Sequence, residues 1–187
     1  MYMIFELEGI VGVHPKDFGR SLEDIVKDYL SKEYEGYADE TLGFVIKVLG
    51  VNVDEVGYML PRDPSLYHKV RFKVLTYIPQ LQEVVEGEVS EITEFGAFVR
   101  IGPLEALLHI SQITDDYLSF DKKYSKLLGT KTGLTLSVGD VVRARIVAVS
   151  LAGNKVGLTA RQPYLGKLEW IKRQLEPEKK VEKARQA

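Results

Sequence analysis

Apolar and polar positions change their rhythm along this chain near residue 80. Before that point, residues 1–13 mix β-branched and aromatic side chains and predict a strand. His14-Pro15 ends it, because a residue before proline is pushed out of the helical region. Leu22, Ile25, Val26, Tyr29 and Leu30 then recur on one face at helical spacing. Ser21 stands in front of this helix, with Asp24 three residues on as a short capping box, and Gly36 ends it. Two β-rich runs follow at 42–53 and 67–77, so the first half predicts strand-helix-strand-strand. Between those runs, residues 57–64 are rich in breakers yet carry Tyr58, Met59 and Leu60. Such a segment suits either a hairpin connection folded onto its own sheet or an exposed apolar finger that docks on a partner.

From Val84 onward, short alternating strands are separated by glycines, the pattern of a small β-barrel. Val99 and Ile101 share one face and Phe98 and Arg100 the other. Val142, Ala144, Ile146 and Ala148 oppose Arg143 and Arg145, and Val156, Leu158 and Ala160 oppose Lys155, Thr159 and Arg161. The expectation is an apolar inside and a basic, partly aromatic outside. In a final helix, Tyr164, Leu168, Ile171 and Leu175 form one stripe, with Trp170 off it as either a solvent-facing residue or a contact to another chain. The tail from Glu176, with Pro177 and a run of charges, is expected to be disordered.

Charge sharpens this division. The 187 residues carry 25 Lys and Arg against 27 Asp and Glu, a formal charge of −2. Residues 1–80 hold 9 basic and 13 acidic side chains, whereas 81–187 hold 16 and 14. Opposite balances in the two halves point to two domains with different partners. Cysteine is absent, which removes disulfides, thiolate metal sites and cysteine nucleophiles. No apolar run reaches the length of about 20 residues that spans a bilayer, and Glu6 and Glu8 sit where a signal peptide would be basic and apolar. A cytoplasmic protein is the expectation.

Catalytic chemistry is poorly supplied. His14, His68 and His109 are scattered, no phosphate-cradling glycine loop joins a strand to a helix, and Asp115-Asp116 reads as a solvated loop rather than a paired acid. No catalytic residue, metal ligand or cofactor is predicted. Binding is better supplied, because single-stranded RNA is held by exposed aromatics that stack on bases and by Lys or Arg along the phosphates. Phe98 beside Arg100 and His109 beside Leu107 fit that need, although a neighbouring loop covering Phe98 and a structural role for His109 fit the same pattern.

The run Gly87-x-Val89-x-x-Ile92-x-x-Phe95-Gly96-Ala97-Phe98-Val99-x-Ile101-Gly102, then Leu107-Leu108-His109-Ile110-Ser111, closely resembles the S1-type RNA-binding domain, an OB-fold barrel. Gly139-Asp140-Val141-Val142-x-Ala144-Arg145-Ile146 and Gly157-Leu158-Thr159 resemble its closing strands. The resemblance implies an RNA surface made by Phe95, Phe98, His109 and Lys155, with Arg100, Arg143, Arg145 and Arg161 around it. Two positions depart from the pattern: Ser150 replaces an acidic residue, and Ala106 replaces a glycine.

The flanks resemble one family in particular. They are 82–89 leading into the barrel, 161–171 leaving it, and the Pro15-x-x-Phe18-Gly19 turn near the start. That family holds the E-prime polypeptide of archaeal RNA polymerase and the seventh subunit of eukaryotic polymerase II. Membership implies an α+β chain: a truncated RNP-like strand-helix-strand-strand domain at 1–80, an OB-fold barrel with a terminal helix at 81–176, and a charged tail at 177–187. It implies a non-catalytic stalk subunit that forms a heterodimer with a smaller polymerase polypeptide, the F subunit. Such a subunit docks on the polymerase core through a tip loop at about 56–66 and binds single-stranded nascent RNA. Gly57, Tyr58, Met59, Leu60, Pro61 and Arg62 become the docking tip, and Trp170 a contact to the smaller partner. Arg62-Asp63-Pro64 departs from the Gly-Asp-Gly common in the family. An RNA-binding subunit of a translation initiation factor or of an RNA-processing complex is the competing expectation.

Overall fold

The computed structural model describes residues 1–150, 153 and 155–175, and divides into two compact units, Met1–Ile78 and Pro79–Ala187. In the first unit, β1 (Tyr2–Val13) leads through a turn to α1 (Leu22–Tyr34), then β2 (Ala38–Asp39), β3 (Gly43–Val53), β4 (Tyr58–Met59) and β5 (Leu66–Tyr77). The strands form an antiparallel sheet in the order β1-β5-β3-β2, with β4 beside the start of β5. Ile25, Val26 and Leu30 of α1 are buried, and join a core of Val11, Val13, Val45, Val48, Val70, Phe72 and Val74 from the sheet. The helix therefore covers the sheet through the apolar face that its sequence predicts.

One local expectation is corrected. Ser21 occupies the cap position of α1, but its side chain makes no capping hydrogen bond; Glu23 and Asp24 in the first turn still complement the helix dipole. In β3 the pairing with β5 slips between Val45 and Lys47 and again between Val48 and Gly50. Each slip is a bulge that adds one residue, so Val45 and Val48 both reach the core although three positions separate them.

In the second unit, β6 (Val84–Thr93), β7 (Gly96–Ile101) and β8 (Leu104–His109) form a meander. A segment with three short strands, β9 (Leu118–Asp121), β10 (Lys126–Gly129) and β11 (Thr135–Ser137), comes next; β12 (Val141–Ser150), β13 (Lys155–Thr159) and β14 (Gly166–Lys167) complete the strands. The order β13-β8-β7-β6-β12, with β12 also paired to β13, closes a five-stranded barrel. Small residues Ala97, Ala106 and Ala144 alternate inside it with Val89, Val99, Leu108, Ile146 and Leu158. That mixture suits a narrow interior. Ala106 is an ordinary strand residue opposite Val99, and its methyl group fills interior space.

The inserted strands β9-β10-β11 form a separate sheet around buried Leu118, Leu127 and Leu136, which the sequence pattern does not announce. Helix α2, described over 168–175, buries Ile171. The stripe predicted for it is corrected: Tyr164 lies before the helix in a left-handed turn at φ +62°, and both Tyr164 and Leu175 are exposed. The tail predicted to be disordered lies outside the described residues. Among the described residues, no helix is long and apolar enough to cross a membrane.

A candidate RNA interface and an apolar tip

The barrel strands alternate as predicted at β7, where Ala97, Val99 and Ile101 are buried, Phe98 is half-buried and Arg100 is exposed. Phe95 lies in the turn before β7 with 48% of its surface exposed, and its ring meets Phe98 edge to face at 6.0 Å and 89°. Across the ladder, Phe98 faces Leu107 and Gly96 faces His109. Gly96 is required there, since a Cβ would sit 2.9 Å from the His109 Cα, with the backbone at φ +154°. His109 Nδ1 accepts the Ser111 backbone N–H at 3.3 Å and lies 2.8 Å from the Ser111 hydroxyl. A neutral ring in that setting carries its proton on Nε2, leaving an N–H free for a phosphate or a base edge. Phe95, Phe98 and His109 are thus brought together on one exposed face, two π surfaces beside one donor.

The expected basic outside is largely engaged: three of its arginines already hold internal partners. Arg143 donates to Glu86 at 2.8 Å, and Arg161 donates to Asp115 at 2.7 Å. Arg145 is half-buried and donates to the Gln82 carbonyl at 3.2 Å, and Arg100 stands in the ladder between Glu88 and Glu105. Lys155, opposite Ser150, has no ion pair among the described residues. Two predicted faces are corrected. Thr159 is buried and donates to Gln112 Oε1 at 2.8 Å, and Ala148 is exposed because a slip between Ile146 and Ala148 reverses the alternation.

Asp115 and Asp116 point to different partners, as a solvated loop would have them. Asp116 accepts the backbone N–H of Thr132 at 2.8 Å, the Thr132 hydroxyl at 2.7 Å and the Lys131 N–H at 3.0 Å. These bonds, the Thr132 amide first, hold its pKa down at about 2. Whatever order Asp116 confers is complete above the ordinary carboxylate value of 3.8 and is lost as pH falls through about 2. Hydrogen-exchange protection of the 130–134 amides is expected to hold down to that window and then fall. In Asp116→Asn the acid-dependent step there should vanish; an unchanged step would assign it to another group.

In the first unit, β4 pairs with the start of β5, so the 57–64 segment is a hairpin connection on its own sheet that still exposes Tyr58, Met59 and Leu60, Met59 by 65%. Gly57 lies flat against the buried His68, whose Nδ1 is 2.8 Å from the Asp54 carbonyl; a Cβ at Gly57 would come within 2.8 Å of that ring. Tyr58 stacks on Tyr67 at 5.8 Å. The Tyr67 hydroxyl donates to Asp63 at 2.5 Å and the Ser65 N–H at 2.9 Å, which together hold the Asp63 carboxyl below its usual range. Arg62 adopts φ +69°, a left-handed conformation normally given to glycine. The departure Arg62-Asp63-Pro64 thus keeps a tight turn, with Asp63 as its hydrogen-bonded pivot. Trp170 is half-buried over Gly166, where a Cβ would meet its ring at 3.1 Å, and it lines a groove of about 460 Å³ with Leu134, Ala160 and Pro163.

These two units define a class: an α+β domain followed by a small five-stranded barrel. Residues 78–161 match the S1 RNA binding domain family, and residues 8–64 match the SHS2 domain found in the N terminus of Rpb7p/Rpc25p/MJ0397. The chain is 42% identical over 175 residues to DNA-directed RNA polymerase subunit Rpo7 of Saccharolobus shibatae, covering 91% of this chain and 97% of that one. It is 25% identical over 171 residues to DNA-directed RNA polymerase II subunit rpb7 of Schizosaccharomyces pombe, covering 89% and 99%. Ribonuclease R of Escherichia coli is 36% identical over 81 residues, which is 42% of this chain and 10% of that enzyme. The chain belongs to the Rpo7 family of DNA-directed RNA polymerase subunits. The competing reading as part of an RNA-processing complex shares only a barrel-sized segment with its representative.

Tyr117, like Tyr124 in the same segment, is an aromatic that sequence reasoning missed. It is 74% exposed in the inserted segment, and its only sequence signal was an aromatic directly after two acids.

Proposed function

We propose that this chain is a non-catalytic stalk subunit of an archaeal DNA-directed RNA polymerase, working in the cytoplasm and holding single-stranded nascent RNA on its barrel. The observation that carries the reading is the pair of exposed Phe95 and half-buried Phe98 beside the His109 ring on an S1 barrel face. Base stacking contributes roughly 1–3 kcal/mol per base, so two rings provide useful affinity without sequence reading. Lys155 and Arg100 supply cations with no bonded partner among the described residues, while Arg143, Arg145 and Arg161 must exchange an internal contact for a phosphate. Weak, strongly salt-dependent binding is the consequence.

Residues 1–80 form the docking domain in this reading. Gly57, Tyr58, Met59, Leu60, Pro61 and Arg62 present an apolar tip to the polymerase core, prearranged by the Tyr67–Asp63 hydrogen bond. The smaller F subunit of the polymerase is the partner in a heterodimer, with Trp170 and the groove beside it as the contact. Purified protein is expected to bind a fluorescent oligouridylate, and Phe98→Ala with His109→Ala should weaken it about ten-fold with the circular dichroism spectrum unchanged. Equal affinity for the double variant and the parent would remove this face as the RNA surface.

A further inference from the structure

The barrel face leads into a second groove. Between the turn that follows β8 and the inserted sheet lies a cavity of about 610 Å³, lined by Glu94, Ser111, Tyr117, Ser119, Phe120 and Lys122 among others. One end adjoins the aromatic cluster, since Glu94 precedes Phe95 and Ser111 is the residue bonded to His109. Lys122 stands at this same end, bonded to Glu94, and Tyr117, Ser119 and Phe120 line the rest.

Tyr117 projects here from a backbone held on both sides. Its carbonyl accepts the Thr130 N–H at 3.0 Å and the Thr130 hydroxyl at 3.1 Å, and its neighbour Asp116 is fixed to the 131–132 amides. A large exposed ring on a fixed backbone loses little entropy when a flat ligand stacks on it. The charges agree. Of the acids in this segment, Asp115 is engaged by Arg161, Asp116 by amides, and Asp121 by the Lys123 N–H. Lys123 stands over the Tyr124 ring at 5.5 Å, and neither Lys126 nor Lys131 has an ion pair among the described residues. Lys122 is bound to Glu94 at 2.7 Å, with both side chains mostly exposed, so a phosphate can replace that carboxylate at small cost.

Building on the RNA-binding reading of the barrel, we propose that the inserted β9–β11 sheet carries a second single-stranded RNA subsite, in which nucleotides leaving the Phe95–Phe98–His109 cluster pass Lys122 and stack on Tyr117. The ligand class is unpaired RNA, recognised by ring faces and phosphates without a base code. A two-part surface should show itself in length dependence.

The test uses the full chain and fluorescent oligouridylates of about six and about twelve nucleotides, spanning the site sizes of such barrels. Tyr117→Ala should leave the short oligomer unaffected and weaken the long one on the order of five-fold. Tyr117→Phe, which keeps the ring, should bind like the parent, and Lys122→Ala should flatten the salt dependence more for the long oligomer than for the short one. Unchanged affinity of Tyr117→Ala at both lengths, or equal loss at both, overturns the subsite. Phe98→Ala separates the two readings: loss at both lengths keeps the barrel surface whatever Tyr117 does, and loss at neither sinks the barrel surface and the subsite together.

Discussion

Phe72→Ala is expected to destabilise the first unit by about 3–5 kcal/mol, the cost typical of removing a fully buried ring. Phe72 is 2% exposed, lies on the central strand β5, and meets Tyr34 of α1 edge to face at 5.1 Å. It therefore joins the helix to the sheet, and truncation removes both the transfer free energy of the ring and the packing around it. Val70 and Val74, two positions either side of it on the same buried face of β5, are β-branched and stiff, so they cannot collapse into the space. Native stabilities of about 5–15 kcal/mol make this a large fraction of the total. Urea denaturation, with hydrogen exchange of the β3 and β5 amides as the local reading, measures it. A loss below about 1 kcal/mol would mean that the helix does not depend on this contact.

Gly87→Ala should cost about 3 kcal/mol, at the upper end for overpacking. Gly87 is buried in β6 opposite Val142, and a methyl group there would overlap the Arg100 carbonyl oxygen and lie 2.7 Å from Val99 Cγ1. The obstruction is backbone, which cannot rotate aside as a long side chain would. Its φ is not in the left-handed region, so the penalty is steric and larger side chains should be worse still. Gly50 supplies the comparison, because nothing lies within 4 Å of a Cβ built there. Gly50→Ala should be neutral or slightly stabilising through reduced freedom of the unfolded chain. Equal effects of the two substitutions would show that the barrel can widen at β6. The barrel amides in hydrogen exchange report this directly.

Much of the fold was legible because its signals are local. The α1 stripe at Ile25, Val26 and Leu30, and the inward set Val99, Ile101, Val142, Ala144 and Ile146, follow from helix and strand periods that neighbouring residues themselves carry. The bulges at 45–47, 48–50 and 146–148 were not legible, because an extra residue is set by the strand paired opposite. That is why Ala148 faces out while a strict alternation puts it in. The three strands at 118–137 escaped for another reason: each is too short to show a period, and its apolar residues Leu118, Leu127 and Leu136 gain meaning only when packed on one another.

For the candidate site the division is similar. Phe95, Phe98 and His109 could be named because a long, many-membered motif fixes their spacing. Their closeness rests on β7 and β8 being adjacent. The state of the arginines was invisible, since Glu86 is far in sequence from Arg143, and Asp115 from Arg161. A sequence shows which charges exist but not which have already found each other.

Sequence alone determined the two-part plan, the alternating strands, the aromatic and histidine motif, and the apolar lead-in at Tyr58, Met59 and Leu60, because each depends on side-chain type and short spacing. Tertiary structure alone decided which cations remain unpaired, which glycines touch backbone, how Asp63 and Tyr67 set the tip, and that Tyr117 stands exposed beside the His109 face. These depend on contacts between residues distant along the chain, and such contacts exist only once the strands have paired and the barrel has closed.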